Sequence, residues 1–361
     1  MTSTLQQREQ ALRQWFVSLA PTLNDGSARE TIDAVSGDAS FRRYFRGFTA
    51  HKSWILVDAP PDKENSQTFV EIARRLARGG VAVPEVVAAD LALGFMCLAD
   101  FGDVLLWSKL DAAQGDPQLQ PSADALYQSA FAELVKIQQC DGSTPPLPPY
   151  DEALLLREMR LFTDWFCGGI MQFKLSTFEI NMLENVYHFL VDSALAQPQV
   201  FVHRDYHSRN LMYRADAPPG VLDFQDAVFG PVTYDLVSLL KDCYISWPRA
   251  QVNTWVLDYA ARATEAGVLL HVAPQQFLQD FDLMGLQRHL KVAGIFGRLW
   301  LRDGKSRYLQ DIPLTLRYIS EVVPEYPELK VFSAWLHDRV LPHLDAALLQ
   351  TQQHVAAGAG A

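Results

Sequence analysis

Cysteine is scarce: there are four in 361 residues (Cys97, Cys140, Cys167 and Cys243), and no two form a C-x-x-C pair. A disulfide framework is therefore excluded as the basis of the fold, and reduced thiols with a cytosolic address are expected. Positive charge is also in deficit. Lys and Arg total 31 against 42 Asp and Glu, a net charge of -11. This balance lacks the broad basic footprint that phosphate backbones favour, which excludes nucleic acid and anionic membrane surfaces as main partners. A local cationic pocket for a small phosphate stays open. Long apolar runs are missing as well. The most apolar stretch, 81–99, is broken by Pro84, Glu85 and Asp90, whereas a spanning helix needs about 20 nearly uninterrupted apolar residues. The first residues are polar and carry no signal-peptide core. The 20 Gly and 20 Pro follow no short period, and no repeat of solenoid length is present.

What is present is an ordinary globular composition, 49% hydrophobic and 20% charged, with length for about two domains. Residues 5–19 read as an amphipathic helix with Leu5, Leu12, Trp15, Phe16 and Leu19 on one side. A small-residue turn, SGDASF, opens into a strand containing Phe41 and Phe45, and SWILVDAP (53–60) is a second strand. Asn65 or Ser66 caps a helix that Gly79 and Gly80 end. VPEVVAAD and GFMCLADFG read as two more strands. After Gly102 helical periodicity takes over, at 123–139, 151–166 and 176–196, interrupted by a stiff proline-rich connector at 144–150. Short β pieces surround 199–224, and nearly all that follows Tyr234 is helical; the tail AAGAGA reads as frayed. The expected fold class is α+β: a small β-rich lobe over 1–100 and a larger, mostly helical lobe over 101–361.

The chemistry concentrates in VHRDYHSRN (202–210), which spaces His203, Asp205 and Asn210 as H-x-D-x-x-x-x-N, and in VLDFQD (221–226), with Asp223 thirteen residues after Asn210. This pair of segments resembles the catalytic and metal loops of the eukaryotic-like kinase superfamily, and the resemblance implies a bilobal kinase-like fold. It implies that Asp205 accepts the proton of an attacking hydroxyl and that Asn210 and Asp223 hold Mg²⁺ against the phosphates of ATP. His203 is then loop support rather than chemistry. His207 either touches the acceptor or braces the loop. Asp235, opening the helix after PVT, is assigned to scaffold the catalytic-loop backbone, a role close to a plain N-cap. Only about a dozen residues, DFQDAVFGPVTYD, join the metal loop to that helix. This leaves no room for a protein kinase's activation segment. The pattern is similar to the aminoglycoside phosphotransferase and choline kinase branch, which acts on small molecules.

SGDASFRRYFR, ILVDAPPDKENSQTFVEIARRL, GFMCLADFGD and VLDFQDAVFGPVTYDLVSLLKDCY further resemble the bacterial anomeric N-acetylmuramate and N-acetylglucosamine kinases. The resemblance runs from about residue 30 to 250 and implies ATP-dependent phosphorylation of the C1 hydroxyl of an amino sugar, in cell-wall recycling. Two alternatives remain: another small-molecule kinase of the branch, and a nucleotide-binding pseudokinase. The second draws on a departure, because SWILVDAP holds no Lys where protein kinases place one, and SGDASF is not G-x-G-x-x-G. Ser40 and the loop amides are expected over the phosphates. Arg42, Arg43 or Lys63 is expected to replace the cation, with Arg43 assigned to the nucleotide, and Glu71 stands where a kinase places the Lys partner. Met96, Leu98 and Ala99 are expected to line the nucleotide base, and Gln225 and Asp226 to face the sugar.

Overall fold

The computed structural model describes residues 4–23, 25–29, 31–35, 41–270 and 272–358. Ser40, with the rest of the 36–40 turn, lies outside them, as do the last three residues of the tail. Five strands, β1 (Ile32–Val35), β2 (Arg43–Phe48), β3 (Ser53–Asp58), β4 (Val86–Asp90) and β5 (Phe95–Ala99), form an antiparallel sheet in the order β1-β2-β3-β5-β4. Side chains alternate across a strand, so the register sorts two faces. Phe45, Leu56 and Cys97 stand abreast on one, and with Trp54 and Phe95 they pack on Leu12 and Phe16 of α1 (Thr4–Leu19). Tyr44, Val57 and Met96 stand abreast on the other, which joins α2 (Ser66–Arg78) and the helical part in one core. The Asn65 side chain accepts from the Thr68 amide and caps α2. Strand β1 was not expected: four residues at a sheet edge, half exposed, carry too short a pattern to read.

The helical part begins with α3 (Leu106–Gly115), α4 (Ala123–Gln139) and α5 (Glu152–Leu161). The single helix read at 151–166 changes pitch instead, becoming a π-helix over Phe162–Ile170. A capping box of Ser176 and Glu179 opens α6 (Thr177–Ala196). Two short ribbons follow: β6 (Gln199–Val202) pairs with β9 (Val228–Pro231), and β7 (Leu211–Met212) with β8 (Gly220–Val221). Then come α7 (Tyr234–Leu240), α8 (Arg249–Glu265) and the buried α9 (Pro274–Leu301), with shorter helices after it. Glycine sets where α9 lies. A Cβ on Gly294 would stand 2.2 Å from the Leu161 carbonyl carbon, and one on Gly297 2.9 Å from the Trp165 oxygen. With no side chain at either place, α9 rests backbone to backbone on α5 and the π segment. No described helix is long and apolar enough to cross a membrane.

Candidate active site

The segment 203–210 leaves β6 and turns under β7. Two backbone amides at its start point the same way, His203 N at 2.7 Å and Arg204 N at 3.0 Å, and both donate to the Asp235 carboxylate at the head of α7. Arg204 has φ 75°, a left-handed conformation that costs a non-glycine residue and needs such anchoring. Burial pushes the Asp235 carboxyl up, to about 7. The His203 ring is fully buried: its Nε2 meets the Leu222 carbonyl at 2.9 Å and its Nδ1 accepts from the Asp205 amide at 3.2 Å. Burial pushes this imidazole down to about 4, so it is neutral near pH 7. Both residues act here on backbone. Asp235 does not cap its own helix, whose N-cap is Thr233.

Around this frame the carboxylates gather. Burial alone would raise the Asp205 carboxyl, but neighbouring charge, Lys291 foremost, holds it below the usual carboxylate range. His207 and His203 are pushed down to about 4 by burial, so at neutral pH the nearby cations are Lys291, Arg204 and Arg288. Asn210 uses its Nδ2 on the Asp205 carbonyl at 3.0 Å and on the Asp223 carboxylate at 3.4 Å. That leaves its Oδ1 as the atom available to a cation. Asp223, with φ 62°, reaches solvent at the cleft mouth but is crowded by protein around it. Crowding and the charge of Asp205 push its carboxyl up, and Gln225 Nε2 donates to it at 2.8 Å. Asp226 reaches the loop through its backbone: its carbonyl accepts from Arg204 Nη1 at 3.4 Å.

Lys291 of α9 and Arg204 share Glu158 of α5; Lys291 is 3.1 Å from its carboxylate and also donates to the Tyr234 hydroxyl at 2.9 Å. Tyr150 donates to the same carboxylate. Nothing near the H-x-D motif announces Lys291, which lies 86 residues beyond Asp205 in the chain and reaches it through the glycine contacts of α9 on α5.

The sheet divides the three candidate cations. Arg43 faces α1, donating to the fully buried Asp58 through Nε at 3.0 Å, beside Arg8, which donates at 2.8 Å. The expectation that Arg43 meets the nucleotide is therefore corrected: strand alternation turns it away from the cleft. Lys63 is exposed, 3.7 Å from Asp62. Arg42 lies on the cleft face, 3.1 Å from Glu64 and over the Phe69 ring at 5.5 Å, and its charge is felt at Asp223. Glu64, not Glu71, is thus the acidic partner; Glu71 is exposed and accepts from Gln67. Phe69 stacks on Phe224 at 4.9 Å between ring centroids, joining α2 to the metal loop. Met96 and Leu98 are buried on the cleft face. Ala99 follows them, but its amide is already used by the Glu85 carbonyl at 2.9 Å. Arg46 ties β2 to the chain beyond β5, meeting Asp100 at 2.6 Å and Asp103 at 2.8 Å.

Two neighbouring carboxylates, one raised by burial and by the other's charge, and a carboxamide oxygen suit a hard divalent cation. Mg²⁺ is commonly held by one or two carboxylates with substrate phosphates completing its shell. Residues 31–271 match the profile of the phosphotransferase enzyme family. The chain belongs to that family. It is a phosphotransferase with the bilobal kinase-like fold. It is 47% identical over 299 residues to the N-acetylmuramate/N-acetylglucosamine kinase of Pseudomonas putida, covering 83% of this chain and 85% of that one. It is 38% identical over 335 residues to the protein of that name from Neisseria meningitidis serogroup B, covering 92% and 96%. Among solved structures, an ADP-bound aminoglycoside phosphotransferase superposes with TM-score 0.55 at 15% identity, over 86% of this chain and 98% of that one. The choline kinase of Streptococcus pneumoniae gives 0.58 at 10%, over 86% and 99%.

Proposed function

We propose that the enzyme transfers the γ-phosphoryl group of ATP to the anomeric C1 hydroxyl of N-acetylmuramate and N-acetylglucosamine, in the cytoplasm, returning cell-wall amino sugars to phosphorylated form. The observation that carries the reading is an ionised Asp205 beside the Asn210 and Asp223 oxygens, in a chain 47% identical to a kinase named for those two sugars. Asp205 takes the acceptor's proton. The anomeric hydroxyl is more acidic than a ring alcohol, which suits a base held at low pKa acting late in a loose transition state. Asp223 and Asn210 would hold a divalent metal, which would supply positive charge to offset that of the transferring phosphoryl group. Arg42 supplies the fixed cation of the nucleotide side, with Met96 and Leu98 behind the base. The acceptor side is assigned to His207, Gln225 and Asp226.

The test is ADP release across a panel of amino sugars, aminoglycosides and choline, with product analysis. The expected product is an acid-labile 1-phosphate lacking reducing-end reactivity, while the 1-O-methyl glycoside of the sugar receives no phosphate. A 6-phosphate product or steady turnover of the glycoside overturns the anomeric assignment. Turnover confined to aminoglycosides or choline overturns the substrate class.

A further inference from the structure

One charged side chain in the wall beside Asp205 is buried without a hydrogen-bond partner on either of two nitrogens. Arg288 of α9 is 5% exposed, and its Nε and Nη1 are both unpaired. A guanidinium carries five donors in a rigid fork, and leaving them dry and unpaired is costly. The helix fixes where this fork stands. Arg288 is three residues before Lys291, so the two share a face, and Lys291 reaches the Tyr234 hydroxyl at 2.9 Å. The Arg288 charge is felt at Tyr234, Asp205 and Asp242. Asp242 is already filled: Ser208 donates to one oxygen, and the Tyr244 and Ile245 amides, at 2.8 and 3.0 Å, to the other. A second group on the loop, the His207 Nδ1, is also buried and unpaired, and it too feels Arg288. Two elements thus present unpaired polar atoms beside the base.

A buried unpaired guanidinium asks for an anion. The nucleotide's phosphates belong to the other wall, over Asp223 and beneath Arg42. Arg288 belongs to the wall of α9, behind Asp205, where the acceptor must lie. Of the two proposed acceptors, only N-acetylmuramate brings an anion: its O3 carries a lactyl ether ending in a carboxylate, and N-acetylglucosamine has a hydroxyl there. C3 is next but one to the reacting C1, so that carboxylate falls beside the base rather than at the metal. We infer that Arg288 receives the lactyl carboxylate of N-acetylmuramate and so sets the preference between the two sugars. The inference rests on the substrate reading above.

The experiment compares kcat/KM for both sugars, and for N-acetylmuramate with its lactyl group converted to the neutral amide, in wild type, Arg288→Gln and Arg288→Lys. Thermal melts accompany each variant, and Arg288→Lys carries the comparison where Arg288→Gln does not fold. Loss of charge-assisted hydrogen bonds predicts that Arg288→Gln lowers kcat/KM for N-acetylmuramate about 10- to 100-fold more than for N-acetylglucosamine. The excess appears mainly in KM. Arg288→Lys, which keeps the charge and loses the fork, recovers part of it. With the lactyl amide the excess disappears. Equal losses for both sugars, as a phosphate contact or a structural role produces, overturn the assignment, as does an excess that persists with the amide. Wild type that phosphorylates neither sugar overturns the substrate reading itself, and this inference with it.

Discussion

The two walls of the cleft hold their charges by different means. On the helical side, the Asp205 loop is fixed from several directions: Asp235 takes the His203 and Arg204 amides, the His203 ring takes the Leu222 carbonyl, and Glu158 binds both Arg204 and Lys291. On the sheet side, one cation, Arg42, leans on Glu64 and the Phe69 ring. The first arrangement holds the Asp205 carboxylate in place and below the usual carboxylate range, as a preorganised site requires. The second holds a charge through a single carboxylate in the turn before α2 and one aromatic ring.

The largest test of this contrast is Asp205→Asn. The side chain keeps its shape but cannot take a proton, so kcat should fall roughly 10²- to 10⁴-fold while nucleotide binding, read by calorimetry, persists. Retention of more than about a tenth of wild-type turnover shows that Asp205 is not the base. Next come the metal ligands. A carboxylate offers charge as well as oxygen, so Asp223→Ala should lose more than Asn210→Ala at low Mg²⁺. A Mg²⁺ titration of kcat should partly rescue the Asn210 variant; equal losses at every Mg²⁺ concentration count against the assignment.

The sheet side is tested by a pair of adjacent residues. Arg42→Ala should lower kcat/KM for ATP about 10- to 100-fold by removing a charge-assisted phosphate contact. Arg43→Ala should instead cost about 1–3 kcal/mol of stability in denaturant melts, through loss of a charged hydrogen bond to Asp58, with kcat/KM for ATP near wild type. If the two effects trade places, the assignment of faces is wrong. The smallest effect is expected far from both walls. Ser176→Ala removes half of a capping box and should cost about 1 kcal/mol, with turnover intact in a steady-state assay.

Much of this architecture was legible because its signals are local. A strand or capped helix writes its period and stop residues into a dozen positions, and α2 and α4 appear where the spacing put them. The π segment was not legible, because its pitch answers to α9 packed against it rather than to its own composition. The loop motif grouped Asp205, Asn210 and Asp223 before any coordinates, and in the fold Asn210 bonds both the Asp205 carbonyl and the Asp223 carboxylate, because the three lie on two short segments joined by one narrow ribbon. The cations were another matter. Arg42, Arg43 and Lys63 were indistinguishable as letters, and Glu71 was the acidic residue that stood where a kinase places the Lys partner, whereas Glu64 meets Arg42 in the fold.

What the sequence by itself determined is the family and the candidate chemistry: the H-x-D-x-x-x-x-N loop and the Asp223 segment between short strands, in an acidic chain whose apolar residues are ample for a core. What only the tertiary structure decided is which charges serve that chemistry. One step along the chain separates Arg42, which meets Glu64, from Arg43, which meets Asp58 beside α1, because successive side chains of an extended chain alternate. Two glycines let α9 lie against α5 and the π segment, which brings the charges of Lys291 and Arg288 to Asp205, 86 and 83 residues earlier in the chain. Electrostatic partnership depends on distance through space, and chain order carries that distance only where the chain is short.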